Sequence, residues 1–478
     1  MADIEYNKNN NSSSKDFGRA LRRYFKARKD GKILSSEVHS PDALDELIDY
    51  CLENRRFRES AILSKDLLQM DPNSSETYQK LSFSLINLER FDISLRVINK
   101  AIRIFPGDNE LLLQKAIAIG QLGREKQAIR IIDSILEREP GHAEALFNKG
   151  LILQTLHNYK KAVSIFEELS KIDDFAGDAA LETAFCYHNM KMYDHALDYY
   201  EKAIDNDPFD YYLWYNQAIC YYQKEHYNLA VESFDNAIAL KDDFFFAHHN
   251  KGNALASLSK TVEAVECYYR ALEIIPEDID TLYNLASVYA DTGSYQQAID
   301  FFSLVIKLNP RHFSSYFGKG VCLDACEKFD EALECYNTAL YLNQGNSELW
   351  YAKADLLYNT GRPNDSIFCY QKAVELEPTN VDCIYDLACT LYELDKTEKS
   401  LELFTKLTEL APEWAEGYYS LAKVYTRMDM LDKAADAIRS AIFLDPDKIK
   451  DFHSEFSEIM PETSIAILEK AINKNRQD

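Results

Sequence analysis

Ten cysteines and ten histidines are the side chains with most chemistry to offer, as nucleophiles, redox pairs or metal ligands. Their spacing argues against each use. Cys322 and Cys326 stand four apart, so one helix face could bring both to a single ion, yet no second pair at zinc-type spacing accompanies them. His248 and His249 are neighbours, and adjacent side chains on a helix point about 100° apart, which prevents joint chelation. No H-E-x-x-H, Walker loop, G-x-S-x-G elbow or dinucleotide fingerprint occurs. Acidic residues are abundant, 78 against 53 Lys and Arg, but they recur at a fixed interval along the chain and read as a solvated surface. The chain is therefore expected to be no enzyme, with no catalytic residue, metal or cofactor.

The cysteines disclose the elements that carry them. Cys186, Cys220 and Cys322 are separated by multiples of 34, and so are Cys267, Cys335 and Cys369. A thiol that returns at a fixed interval fills a recurring small apolar volume. Proline follows the same lattice: Pro72, Pro106, Pro140, Pro208, Pro276, Pro310, Pro378, Pro412 and Pro446, nine of the 12, share one phase. Asp174, Asp242 and Gln344 occupy the three remaining lattice points and suit a turn. Such self-similarity means a stack of supersecondary units. It replaces the two or three domains that 478 residues would otherwise suggest.

With the prolines at position 32, twelve units run from Pro41 to Lys448. From the third unit onward, position 8 is Ala or Gly, as in Ala116, Gly150, Ala218 and Gly252, and position 20 is Ala or Ser, as in Ala128, Ala264 and Ser366. Position 24 is a large ring in Phe166, Tyr200, Phe234, Tyr268, Phe302, Tyr336, Tyr370 and Phe404. Small residues let two helices approach closely, and the ring fills the gap beyond them. Apolar residues recur at helical spacing in each half, with Gly123, Gly293 and Gly361 at the intervening turn.

This pattern resembles the tetratricopeptide repeat, a 34-residue helix–turn–helix unit with Trp, Leu, Gly and Tyr, then Ala and Phe, then Pro. The sixth unit fits most fully, through Trp214, Ala218, Tyr221, Ala230, Phe234 and Ala237. The resemblance implies an all-α fold, a right-handed α–α superhelical solenoid of helix pairs. Four segments are expected: a disordered tail over 1–15, a basic helix and linker over 16–40, twelve repeats over 41–448, and a degenerate repeat over 449–478. That last segment carries Phe456, Leu468 and Ile472 where small, small and aromatic residues belong, and reads as a C-terminal cap with Pro461 opening its second helix.

Residues 1–40 hold 9 basic and 5 acidic side chains, so the rest of the chain, 44 against 73, carries −29 of the net −25. Arg19, Arg22, Arg23, Lys26, Arg28 and Lys29 concentrate the excess, and Phe17, Leu21, Tyr24 and Phe25 could form an apolar stripe beside them. Three roles stay open for this helix: a cap on the first repeat, a membrane-surface helix, or an occupant of the array's own acidic groove. The acidic body disfavours nucleic acid as a partner. No apolar run of about 18 residues predicts a membrane span, and the polar, Asn- and Ser-rich first 15 residues do not read as a secretory signal, so the cytoplasm and reduced thiols are expected.

The resemblance further implies that positions 2, 5, 6, 9, 12 and 13 line a concave surface. Position 5 supplies Tyr215, His249, Tyr283, Phe317, Tyr351, Tyr385 and Tyr419, and position 6 supplies Asn148, Asn216, Asn250 and Asn284. Position 2 is acidic in most units, from Asp42 to Glu416, but Tyr212 and Phe246 interrupt it. These columns have a structural reading, since the tyrosine can pack on its neighbour helix and an acid in the first turn favours the helix dipole. Their functional reading is a groove for extended or helical peptides with basic and apolar residues. Asparagine amides would bond peptide backbone, and tyrosines would stack on Lys or Arg. The asparagine column is similar to that of the O-GlcNAc transferase superhelix, without that enzyme's catalytic domain. The lysine and asparagine clamp of chaperone-tail binders is missing. Phe209, Tyr211, Tyr212, Trp214, Tyr215, Tyr221, Tyr222, Phe244, Phe245 and Phe246 crowd the sixth and seventh units and mark the expected hot spot. The expected function is a protein-binding scaffold or adaptor. The alternatives are a regulatory subunit of an enzyme or assembly complex and a self-associating array.

Overall fold

A computed structural model of the chain describes residues 17–29, 40–459 and 465–466. The tail expected over 1–15, and Pro461, Leu468 and Ile472, lie outside the described residues. Among the described residues there is no strand, and no helix is long and apolar enough to cross a membrane. From Pro41 to Leu444 the helices alternate as twelve hairpins, the first Pro41–Glu53 with Phe57–Met70, the last Ala415–Arg427 with Leu431–Leu444. The hairpins form an all-α repeat solenoid in two compact units, one ending at Asp242 and the other starting at Asp243.

Side-chain caps start six of the first helices in the same way, and one backbone conformation turns every hairpin. Ser40, Ser74, Asp108, Asp278, Asn346 and Asn380 precede first helices, and each side chain accepts a bond from a backbone N–H three residues on. A cap of this kind stabilises a helix by about 1 kcal/mol. Between the two helices one residue is always left-handed, from Arg55 (φ 53°) through Gly123 (φ 73°) to Asp429 (φ 59°). The next residue then bonds back five positions, as Arg90 N–H does to Leu85 O at 2.8 Å, which closes the exposed carbonyls.

Packing explains the size columns. Ala218, Ala230, Ala286 and Ala298 are fully buried, and the rings of Phe166, Tyr200, Phe302 and Tyr336 are buried beside them. Where position 8 is glycine the ring comes closer still: a Cβ at Gly150 would lie 2.4 Å from Phe166 Cζ. The same indole bond sets the sixth and the tenth repeat on the loop before it. Trp214 Nε1 donates to Pro208 O at 3.0 Å in the first unit, and Trp350 Nε1 to Gln344 O at 3.0 Å in the second.

Helices outside the hairpins cover both ends. In the helix over 17–29, Leu21 and Tyr24 are buried against Leu44, Leu47, Ile48 and Leu63. Tyr24 donates to Asp66 Oδ2 at 2.6 Å, Arg28 pairs with the same carboxylate, and Phe17 stacks on Tyr50 at 5.4 Å. Arg19, Arg22, Arg23, Lys26 and Lys29 stay exposed. At the other end Lys448–Ile459 buries Phe452 and Phe456 against Tyr419, Ile438 and Ala441. Two ion pairs hold it there, Lys448 with Glu416 and Lys423 with Glu455, each at 2.5 Å.

Candidate peptide-binding surface

The first helix of each hairpin presents position 5 one turn after its start, and six of these side chains do the same thing. Tyr215 lies 5.9 Å from Phe234, His249 6.2 Å from Tyr268, Tyr283 5.7 Å from Phe302 and Phe317 6.1 Å from Tyr336. Tyr351 lies 5.9 Å from Tyr370, and Tyr385 5.9 Å from Phe404. Every pair joins position 5 to position 24 of the same repeat, and all six first-helix rings are half-buried. Each ring thus packs on one side and remains accessible on the other.

Tyr419 departs from the column. It is only 1% exposed, its ring 5.8 Å from Phe456 of the C-terminal helix, so it is core and offers no open face. The asparagine column is also divided. Asn148 Nδ2 donates to Glu144 O at 2.8 Å, and Asn284 Nδ2 to Asn253 Oδ1 at 2.9 Å, an oxygen that also accepts from Tyr268 at 2.8 Å. Two of the four asparagines expected in that column therefore give an amide N–H to a partner inside the chain, because a carbonyl or amide lies within reach on the same or the neighbouring helix. Asn216 and Asn250 are half-buried.

The aromatic concentration of the sixth and seventh repeats separates into core and surface. Phe244 and Phe245 are buried, Tyr222 is half-buried with its ring edge-on to Tyr227 at 5.4 Å, and Trp214 is occupied by Pro208. Tyr212 is 50% exposed beside Tyr211 in the first unit, and Phe246 is 55% exposed beside Phe245 in the second.

Three carboxylates that sequence reasoning passed over lie among the position-5 tyrosines of the second unit. Asp324, Asp355 and Asp386 come from three successive first helices and are half-buried. Tyr351 donates to Asp386 Oδ2 at 2.6 Å and Tyr370 to Asp355 Oδ1 at 2.5 Å. Burial, then the neighbouring Asp386 and Asp324, push the Asp355 carboxyl up to about 6 against the pull of the Tyr370 hydroxyl. Burial also raises Asp386 and Asp324. Among the described residues no Lys or Arg pairs with any of the three. The first unit handles a similar cluster differently: Lys80 neutralises Asp45, Asp49 and Glu76 at 2.9, 2.7 and 2.9 Å. The signal was available, since the three aspartates are 31 apart, one repeat less three residues. That offset steps back about one helical turn per repeat and aligns them across neighbouring helices.

Burial pushes Cys186 and Cys322 up to about 11 and Cys220 up to about 12, away from thiolate chemistry at neutral pH. His249 is lowered by burial and shares a bond with Thr281 Oγ1 at 2.7 Å. Among the described residues no three His, Cys, Asp or Glu side chains converge closely enough to hold a metal ion.

Comparison with known proteins places the repeats. Family models described as tetratricopeptide repeat match residues 143–174, 183–210, 199–232, 347–380, 369–402 and 415–448. One described as anaphase-promoting complex, cyclosome, subunit 3 matches 257–339. No curated protein matches the sequence. Among solved structures, YrrB, described as a TPR protein with an unusual peptide-binding site, is 23% identical, covering 40% of this chain and 98% of its own, at a TM-score of 0.37. MamA is 22% identical over 34% of this chain and 94% of its own, at 0.33. The Cut9–Hcn1 hetero-tetramer of the APC/C is 12% identical over 92% of this chain and 97% of that one, at 0.39. Three of the repeat matches open on Ala143, Ser347 and Ala415, each the first residue of a hairpin, and the chain is a tetratricopeptide-repeat protein.

Proposed function

We propose that the chain is a non-enzymatic protein-binding scaffold of the cytoplasm, with twelve repeats closed at both ends by covering helices. Its first-helix faces hold partner segments, and the second unit selects basic and apolar ones. The observation that carries this reading is the row Asp324, Asp355 and Asp386, left without a cation beside Tyr351 and Tyr385. Half-buried carboxylates that repel one another are a cost to the fold, which a bound Lys or Arg would offset. The flanking tyrosine faces add about 0.5–2 kcal/mol per stacked cation. An acidic surface also speeds the arrival of a cationic partner in a salt-sensitive way. The match to an anaphase-promoting-complex subunit favours a place in a multi-subunit assembly within the same reading.

Fluorescence anisotropy with three labelled dodecapeptides tests it, one alternating Lys with Leu, one Glu with Leu, one Ser with Gly. The Lys–Leu peptide should bind, weaken with salt, and lose about tenfold in affinity to the variant Asp355→Asn, Asp386→Asn. Equal binding of the Glu–Leu peptide, or an indifferent variant, would contradict the assignment.

A further inference from the structure

Second helices in this fold turn two positions squarely to solvent, and the sequence treats them alike almost everywhere. Position 22 is Arg, Ser, Asp or Glu in ten repeats; Ile62 and Phe368 are the exceptions. Position 29 is Gln, Arg, Glu, Lys or Asp in nine repeats, and an aromatic ring in two, Tyr341 and Phe443. Packing asks for no ring at either place. Tyr341 is 83% exposed and Phe368 56% exposed. Yet these two, from neighbouring repeats, border one cleft of about 470 Å³.

The cleft lies between second helices Phe329–Leu342 and Pro363–Leu376, with Trp350 and Lys353 of the intervening first helix Ser347–Asn359, which also carries Asp355, in its lining. Trp350 stands edge-on to Phe368 at 5.8 Å, with its indole N–H bonded to Gln344 O. Leu376 extends it. Two lysines line the same cleft. Lys353 Nζ lies 5.8 Å from the Trp350 ring, and Lys372 Nζ 6.0 Å from Phe368 while paired with Glu375 at 2.5 Å. In a chain of net charge −25, a cleft that presents lysine beside exposed rings is complementary to a carboxylate.

We infer that this cleft is a second docking site, taking a short partner segment that inserts an apolar or aromatic side chain between Tyr341 and Phe368 and sets an Asp or Glu against Lys353. Aromatic rings supply large contact area and dominate such interfaces. The lysine gives the segment its register, and its charge selects against the basic segments assigned to the first-helix face. None of Asp324, Asp355 and Asp386 lines this cleft, so the two sites can be tested by separate substitutions.

The test begins with a random dodecapeptide library displayed on phage, panned on the full chain and counter-selected on the variant Tyr341→Glu, Phe368→Glu. Both substitutions restore residues that sister repeats carry at these positions, so the variant should keep the wild-type urea midpoint. The enriched peptides should combine an apolar or aromatic residue with Asp or Glu. They should bind the double variant and Lys353→Glu at least about tenfold more weakly, and bind Asp355→Asn as the wild type does. Enrichment of basic peptides, of peptides indifferent to the double variant, or of none would overturn the inference. So would a wild-type dimer in sedimentation velocity that the double variant abolishes, since the occupant would then be a second copy of the chain.

Discussion

A Cβ placed on Gly252 would lie 2.6 Å from Cε1 of Tyr268, a ring that is buried and tied through its hydroxyl to Asn253. Alanine holds the same position opposite a ring in Ala218 with Phe234 and Ala286 with Phe302, so the register has room for one methyl group if the ring shifts. Gly252→Ala should therefore change stability by less than about 1 kcal/mol, helix propensity offsetting the tighter contact. Gly252→Leu has no such outlet and should cost about 1–3 kcal/mol or more. Urea midpoints of the two variants check this, and a leucine variant as stable as wild type would place the columns wrongly.

Nine of the hairpin turns put a residue other than glycine in the left-handed region, Glu225 at φ 60° among them, while Gly293 at φ 74° shows what the turn prefers. A side chain there costs about 1–2 kcal/mol, less what glycine loses in unfolded-chain entropy. Glu225→Gly should stabilise its hairpin by about 0.5–1 kcal/mol and Gly293→Ala should destabilise by a similar amount, both read by urea unfolding. Opposite signs are the expected result.

The repeating solenoid was legible because packing demands one side-chain size at one place in every turn: Ala230, Ala264 and Ala298 can be nothing large, and prolines such as Pro208 and Pro276 cannot continue a helix. The turns were legible only at Gly123, Gly293 and Gly361, since Glu225 or Lys191 in the same conformation carries no mark. Asp324, Asp355 and Asp386 escaped because they occupy three different columns, so a search at the repeat spacing of 34 passes over their spacing of 31. Tyr419 escaped because what buries it, Phe456, belongs to a helix outside the regular pattern.

The N-terminal helix covers apolar residues that a repeat before the first would otherwise cover. Leu21 is buried on Leu44, Leu47 and Leu63, and its removal by Leu21→Ala leaves a cavity worth about 2–5 kcal/mol. In a stack where each unit touches only its neighbours, that loss stays local. Hydrogen exchange should quicken over 41–70 and remain unchanged over 347–393. Uniform quickening along the chain would contradict nearest-neighbour stability.

Asp355 gives folding and binding opposite dependences on pH. Its carboxyl titrates near 6 in the folded chain and near 3.8 in its ordinary state, so the folded form binds the extra proton between those values. The stability it allows is full below about pH 4 and is lost as the pH rises through 6. Asp355→Asn keeps an acceptor for the Tyr370 hydroxyl and removes the charge, so it should raise stability at pH 8 by about 1 kcal/mol, solvent screening allowed for, and leave it unchanged at pH 4. A cationic peptide senses the reverse: only the ionised carboxylate attracts it, so wild-type affinity should climb between pH 5 and 7 by more than the Asn variant's. Urea melts and anisotropy titrations at pH 4, 5, 6, 7 and 8 follow both slopes on the same protein. A variant that kept both would move the titrating group elsewhere, and one that lost the folding slope alone would separate the carboxylate row from the recognition of cations.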